Sequence, residues 1–179
     1  MINLYEVDDD YIDYLRNIDN KVLSAKSGNR TETRKYVGIM IHNRNFDYFI
    51  PLSSYKPKTY DSMYESKSFK KIGNMAVLRI NNMIPISNGV CHRIDFNLVA
   101  DENYRNLLRN EYRILKSRER EIRQDARIVY FSRLNENNKG KPLYKICCDF
   151  KALEIAAQKW TNNKYNSGDK ILVGSASTT

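Results

Sequence analysis

The sequence predicts an α+β domain in which helices pack on one antiparallel sheet. Three observations carry this. Two apolar runs rich in β-branched residues, "KYVGIMIH" at 35–42 and "FDYFIPL" at 46–52, are separated only by "NRN", the pattern of a β-hairpin. Beyond Asp101 the apolar period lengthens, placing Tyr104, Leu107, Leu108, Tyr112 and Leu115 on one helical stripe. Strand-like and helix-like segments are grouped rather than regularly interleaved, which argues against a doubly wound parallel sheet.

Taken in order, Tyr11, Tyr14, Leu15 and Ile18 recur at the spacing of a short amphipathic helix. "KVLSAKSGNRTETRK" (21–35) is polar and rich in turn formers, so it reads as a long loop, a feature often tied to function in compact domains. The hairpin comes next. Its strands run antiparallel, roughly 5 Å apart, so Arg34 and Lys35 before the first strand should lie beside Ser53 and Ser54 at the end of the second. Residues 55–71 form a polar excursion. "MAVLRINNMIPI" (75–86) reads as a strand bent near Asn81–Asn82 and ended by Pro85, and "GVCHRIDF" (89–96) as a further short strand. Ile122, Ala126 and Val129 continue the helical stripe after a slip. Residues 101–134 are therefore one long helix or two consecutive ones, with a break between 117 and 123. "NENNKGKP" is a loop, "LYKICCDF" (143–150) reads as a last strand, and Asp149 caps a closing helix that runs to about Trp160. Residues 1–165 make a single domain and 166–179 a flexible tail.

The bulk properties exclude several classes. At 179 residues and 41% apolar content the chain can bury one core. No run of about 18 apolar residues offers a membrane span. The opening "MINLYEVDDD" is acidic and lacks the basic-then-apolar order of a signal peptide. Cys91, Cys147 and Cys148 make no disulfide framework, which points to the cytoplasm. Residues 1–20 hold six acids against Arg16, a net −5, so the other 159 residues carry +14 of the overall +9. Such a basic surface favours a polyanionic partner.

The sequence has no P-loop, no GxGxxG and no GxSxG. Cys147 and Cys148 are adjacent and face opposite sides of a strand, leaving only Cys91–His92, so no metal site is expected. Asp8, Asp9 and Asp10 read as a solvated capping turn. His42 sits at the hairpin turn, at the far end of the strand from Lys35, and His92 follows a cysteine in an apolar context, so the two imidazoles do not form a natural acid–base pair.

That leaves "YFIPLSSYKPK" (48–58), where an apolar strand gives way to Ser53 and Ser54 and then to Lys56 and Lys58. With Arg34 and Lys35 across the hairpin, these groups suit the cutting of RNA. The 2′-hydroxyl can attack its own phosphodiester; the protein must align it, neutralise charge on the phosphoryl oxygens and move protons. Serine hydroxyls can donate to those oxygens, and a guanidinium can bind them in bidentate fashion. By composition alone a solvated serine–lysine loop reads the same. A second cationic surface follows on the long helix, where Arg105, Arg109, Arg113, Lys116, Arg120, Arg123 and Arg127 recur and could track phosphates. Glu111, Glu119, Glu121 and Asp125 are interleaved there and would form i,i+4 pairs on a solvated face. Arg109, Arg113 and Lys116 are the RNA-binding candidates on this helix; Lys26 and Arg30 in the long loop and Lys58 after the strand complete the set. No cofactor is called for.

In this order, "RKYVGIMI", "DYFIPLSSYKPK" and "MAVLRINNMIPI" resemble the ToxN/AbiQ family, toxins of type III toxin–antitoxin and phage abortive-infection systems. The family pattern has a Lys/Arg-bearing loop, a V/I-G-I/V strand, a "Y-x-x-P-L-[ST]-S-x-K" strand end and an "L-x-I-N-x-M-I-P" strand. The resemblance spans about residues 34–86. It implies a compact, strongly twisted antiparallel sheet with packed helices, including a long central one, related to Kid/MazF-type toxins. It also implies a sequence-specific, metal-independent endoribonuclease that leaves a 2′,3′-cyclic phosphate. The implied partners are a small repeated pseudoknot antitoxin RNA, processed by the toxin and assembled with it into a ring, and cellular and phage RNA substrates. Ser53 falls on the family's Ser/Thr position, Ser54 on its serine and Lys56 on the lysine after it. With Gly38 as anchor, Arg34 occupies the family's lysine position and Lys35 lies one place off, which leaves both as candidates. A tyrosine frequent in the family's upstream loop has no counterpart in "SGNRTETR", where Arg30 stands nearest. The competing reading is a non-catalytic basic RNA-binding module.

Overall fold

A computed structural model describes residues 2–25, 33–43 and 46–169. Lys26, Arg30 and most of the 166–179 segment lie outside the described residues. Seven strands form one antiparallel sheet: β1 (Asn3–Val7), β2 (Tyr36–Asn43), β3 (Phe46–Ser54), β4 (Phe69–Ile72), β5 (Ala76–Arg79), β6 (Ile84–Ile86) and β7 (Cys91–Arg93). Their order is β4-β5-β3-β2-β1-β7, with β6 also paired to β3. Helices α1 (Asp9–Ile18), α3 (Glu102–Ser117), α4 (Glu119–Leu134) and α6 (Phe150–Asp169) pack on it, with short turns α2 (Pro57–Tyr60) and α5 (Pro142–Ile146) between. The architecture is thus α+β, as expected. None of the helices among the described residues is long and apolar enough to cross a membrane.

The predicted hairpin is the centre of the sheet. β2 and β3 pair from Asn43↔Phe46 to Tyr36↔Pro51, with an irregularity between Val37 and Ile41. Gly38 lies in this region, and a Cβ there would stand 2.4 Å from the Phe49 ring, so only glycine lets that ring lie against β2. Along its other edge β3 changes partner, pairing with β6 over Asp47–Phe49 and with β5 over Leu52–Ser54. The Leu52 N–H donates to Lys35 on the β2 side. Backbone groups alternate along a strand, so the nitrogen of Pro51 faces the gap between β6 and β5, where no ladder bond is lost.

The bent strand resolves into β5, a 3-10 turn at Ile80–Asn82, and β6. The bend is held by amides: Asn81 Nδ2 donates to the Ile146 carbonyl at 3.1 Å and Asn82 Nδ2 to the Lys21 carbonyl at 2.9 Å. The helical stretch breaks once, at Arg118, within the expected interval. Asp101 caps α3 by accepting from the Tyr104 N–H, and Asp149 caps α6 by accepting from the Ala152 N–H.

Three expectations fail. Strand β1 was not foreseen. Only Leu4 and Val7 of its five residues are buried, too few to mark a strand beside so acidic a segment, and it fills the place between β2 and β7. Residues 143–150 are not a strand, because Pro142 starts a single helical turn that runs to Ile146 and Phe150 already opens the next helix. Both cysteines are fully buried, and burial pushes their thiols up, to about 11 for Cys147 and about 12 for Cys148. The closing helix runs past Trp160 to Asp169.

Candidate active site

The end of β3 and the segment before β2 meet where the hairpin demands. The Arg34 backbone is fixed by its N–H to the Ala25 carbonyl at 2.8 Å. Its guanidinium is fixed three times: Nε donates to the Ser24 carbonyl at 2.9 Å, and Nη1 donates to the Leu52 carbonyl at 2.9 Å and to Ser53 Oγ at 2.6 Å. Two backbone carbonyls and the Ser53 hydroxyl thus fix the orientation of the cation. Ser53 Oγ accepts from Arg34, so its own hydrogen is left to donate to an incoming oxygen. Ser54, the exposed last residue of β3, stands at the rim.

These groups border a cleft of about 100 Å³, whose opposite wall is α3. Thr33, Arg34, Lys35, Leu52, Ser53 and Ser54 come from the hairpin side, and Tyr104, Leu107, Leu108 and Glu111 from the helix. Lys35 is 93% buried, pairs with Glu6 of β1 and lies 5.6 Å from the centre of the Tyr104 ring. Burial works against its charge, but the bonds to Glu6 and Tyr104 outweigh it and hold the ammonium above its ordinary value. Glu111 is 6% exposed, and burial pushes its carboxyl up to about 7.

Arg34, Lys35, Ser53 and Ser54 thus converge, while Lys56 does not line the cleft. It sits exposed at the entry to α2, with Lys58 exposed two residues on. Arg109, Arg113 and Lys116 line a separate groove of about 460 Å³ on the other side of α3, with Phe96 and Tyr112. There Lys116 lies 5.8 Å from the Tyr112 ring centre, and Arg109 donates to Asn97 Oδ1 at 3.2 Å. The histidines are remote and exposed: His42 bonds Asp47 at 2.7 Å and His92 bonds Asp8 at 3.1 Å.

Sequence reasoning missed Glu6, Tyr104 and Glu111 as neighbours of the site. Glu111 is not the solvated i,i+4 partner expected of it. It lies seven residues from Tyr104, on the buried stripe, and that position was the available signal. Asp125 is likewise buried, paired with Lys70 at 2.8 Å. The other two acids do form surface pairs, Glu119 with Arg123 and Glu121 with Arg118.

A central antiparallel hairpin thus ends in a hydroxyl–guanidinium cleft beside a helix lined with cations. The family of ToxN toxins of type III toxin–antitoxin systems matches residues 3–158. The endoribonuclease ToxN of Bacillus thuringiensis subsp. kurstaki is 34% identical over 168 residues, covering 87% of this chain and 82% of that protein. The solved structure of AbiQ, a lactococcal anti-phage endoribonuclease of the type III class, superposes with a TM-score of 0.77 at 28% identity, covering 90% of this chain and 99% of that one. A type III toxin whose structure was solved in work on selective inhibition by a non-coding RNA pseudoknot gives a TM-score of 0.74 at 30% identity, covering 89% and 97%. The chain belongs to the ToxN family, and it is an endoribonuclease toxin of a type III toxin–antitoxin system.

Proposed function

We propose that this toxin cuts RNA in the Arg34–Ser53 cleft, without a metal ion, by attack of the 2′-hydroxyl on the adjacent phosphorus. The observation that carries the reading is the 2.6 Å bond from the fixed Arg34 guanidinium to Ser53 Oγ at the mouth of the cleft. A phosphoryl oxygen beside Ser53 would meet both a hydroxyl donor and a cation already in position, which is electrostatic stabilisation without reorganisation. Arg34 is the site cation, because it faces the hydroxyl, whereas Lys35 is buried against Glu6 and braces the wall. Ser54 contributes a second donor at the rim, and Lys56 and Lys58 supply positive potential from outside. The products are a 2′,3′-cyclic phosphate and a 5′-hydroxyl.

The cationic groove of Arg109, Arg113 and Lys116 lies on the same helix that walls the cleft, and it suits the backbone of a folded RNA. The partner is a pseudoknot antitoxin RNA that covers this surface and blocks the cleft, with cellular and phage RNA as the targets once it is lost. Incubation of the toxin with end-labelled RNA in excess EDTA tests the chemistry. Unimpaired cutting to cyclic-phosphate ends is expected, and a requirement for an added divalent ion rejects the metal-free mechanism. RNA bound in a salt-dependent way but left intact would assign the cleft to binding alone.

A further inference from the structure

We propose that Glu111 is the proton donor to the leaving 5′-oxygen, a catalytic residue that α3 supplies to the cleft opposite the serines. The inference rests on the endoribonuclease reading above and adds the group that reading lacks. Glu111 lines the same cleft as Arg34, Ser53 and Ser54. It is 94% buried beside Leu107 and Leu108, and among the described residues its carboxyl takes part in no hydrogen bond or ion pair. A carboxyl on so apolar a stripe is costly, since the adjoining positions hold leucine. A residue serving only the core would be apolar there.

The other groups around the cleft leave the task to it. Arg34 never releases its proton in this range, and Lys35, braced by Glu6, holds its proton more tightly than an ordinary lysine. Phenols and serine hydroxyls ordinarily hold theirs to about pH 10 or beyond. Among the described residues, the other charged and titratable groups that line the cleft are Arg34, Lys35 and Tyr104. From β4, which packs on α3, Lys70 is turned instead to Glu121 and Asp125. Burial alone keeps the carboxyl neutral up to about pH 7, and an entering phosphodiester, being anionic, favours the neutral form further.

The step balances as a transesterification. O2′ forms a bond to phosphorus as its proton passes to a solvent water. The P–O5′ bond breaks with its electron pair on O5′, which takes the proton from Glu111. The carboxylate left behind recovers a proton from water. Arg34 and Ser53 hold the two non-bridging oxygens meanwhile.

The test compares ordinary RNA with RNA carrying sulfur in place of the scissile 5′-oxygen, a leaving group that needs no proton. Glu111→Gln keeps the size and neutrality of the side chain but cannot give a proton. It should cut ordinary RNA about 100-fold or more slower than wild type and cut the thio-substituted RNA within a few-fold of wild type. Equal losses on both substrates, or no loss on ordinary RNA, would overturn the assignment. Should the variant fail to fold, the wild type still decides. Its kcat/KM on ordinary RNA should fall above about pH 7, and that fall should be absent with the thio substrate; an unchanged profile rejects the role. A wild type that cuts neither substrate would instead reject the endoribonuclease reading itself.

Discussion

Two charged clusters flank α3, and they are built on opposite rules. At the α3–α4 break every charge finds its complement. Lys70 lies 2.8 Å from both Glu121 and Asp125, and Arg118 binds Glu65 through two nitrogens while also bonding Glu121 and the Lys71 carbonyl. In the cleft, Arg34 is fixed on the Ser24 and Leu52 carbonyls and on Ser53 Oγ, Ser53 has a hydrogen to give, and Glu111 is buried with no partner among the described residues. The first cluster satisfies itself and fixes the helix break. The second leaves the Ser53 hydrogen and the Glu111 carboxyl uncommitted, and under the proposed function a phosphodiester would accept from Ser53 and favour neutral Glu111. On that reading the contrast separates a charge cluster that serves the fold from one that serves a ligand.

Substitutions should expose this difference with opposite signs. Asp125→Ala leaves Lys70 buried with only the exposed Glu121, and it should cost about 3 kcal/mol in urea unfolding. A loss below about 0.5 kcal/mol would mean that the cluster does not support the fold. Glu111→Gln should do the reverse. The folded-state value of Glu111 lies above that of an unfolded glutamate, so the wild type loses stability as pH rises from about 4 through about 7. The variant should therefore match the wild type at pH 4 and exceed it at pH 8, by up to about 3 kcal/mol. A destabilised Glu111→Gln at pH 8 would show that the carboxylate has a partner. The smallest effect belongs to the outer groove. Arg113→Ala should leave stability unchanged, weaken RNA binding a few-fold and lower the salt slope by about one unit.

Glu121 adds an acid limb to the same comparison. Its bonds to Arg118, then to Lys70, hold its carboxyl down at about 2. The stability it contributes is present above the ordinary glutamate value and is lost as pH falls towards 2.

The hairpin and the convergence of Arg34 with Ser53 were legible because both follow from chain-local facts, namely a turn between two apolar runs and the antiparallel register. The two-helix stretch was legible for the same reason, since its period is written in Tyr104, Leu107, Leu108 and Leu115. What escaped depends on contacts distant in sequence. The apolar signal of β1, Leu4 and Val7 without alternation, is too slight to stand out beside Asp8–Asp10, and the segment is a strand because β2 and β7 pair with it. The helical turn at Pro142 is set by one proline against a β-like composition. Glu111 was read by its charge, as a surface residue, although its place on the stripe put it in the interior. The same error was made for Asp125, and only Lys70, 55 residues away in the chain, explains its burial.

Single-turnover cutting of a bound RNA by Ser53→Ala, Ser54→Ala and the double variant puts the cleft itself to trial. With the unfolding transition unchanged and RNA affinity kept, Ser53→Ala should slow cutting by about 100-fold or more, Ser54→Ala should slow it less, and the double variant should abolish it. A folded double variant that still cuts at the wild-type rate would place the chemistry somewhere other than the end of β3.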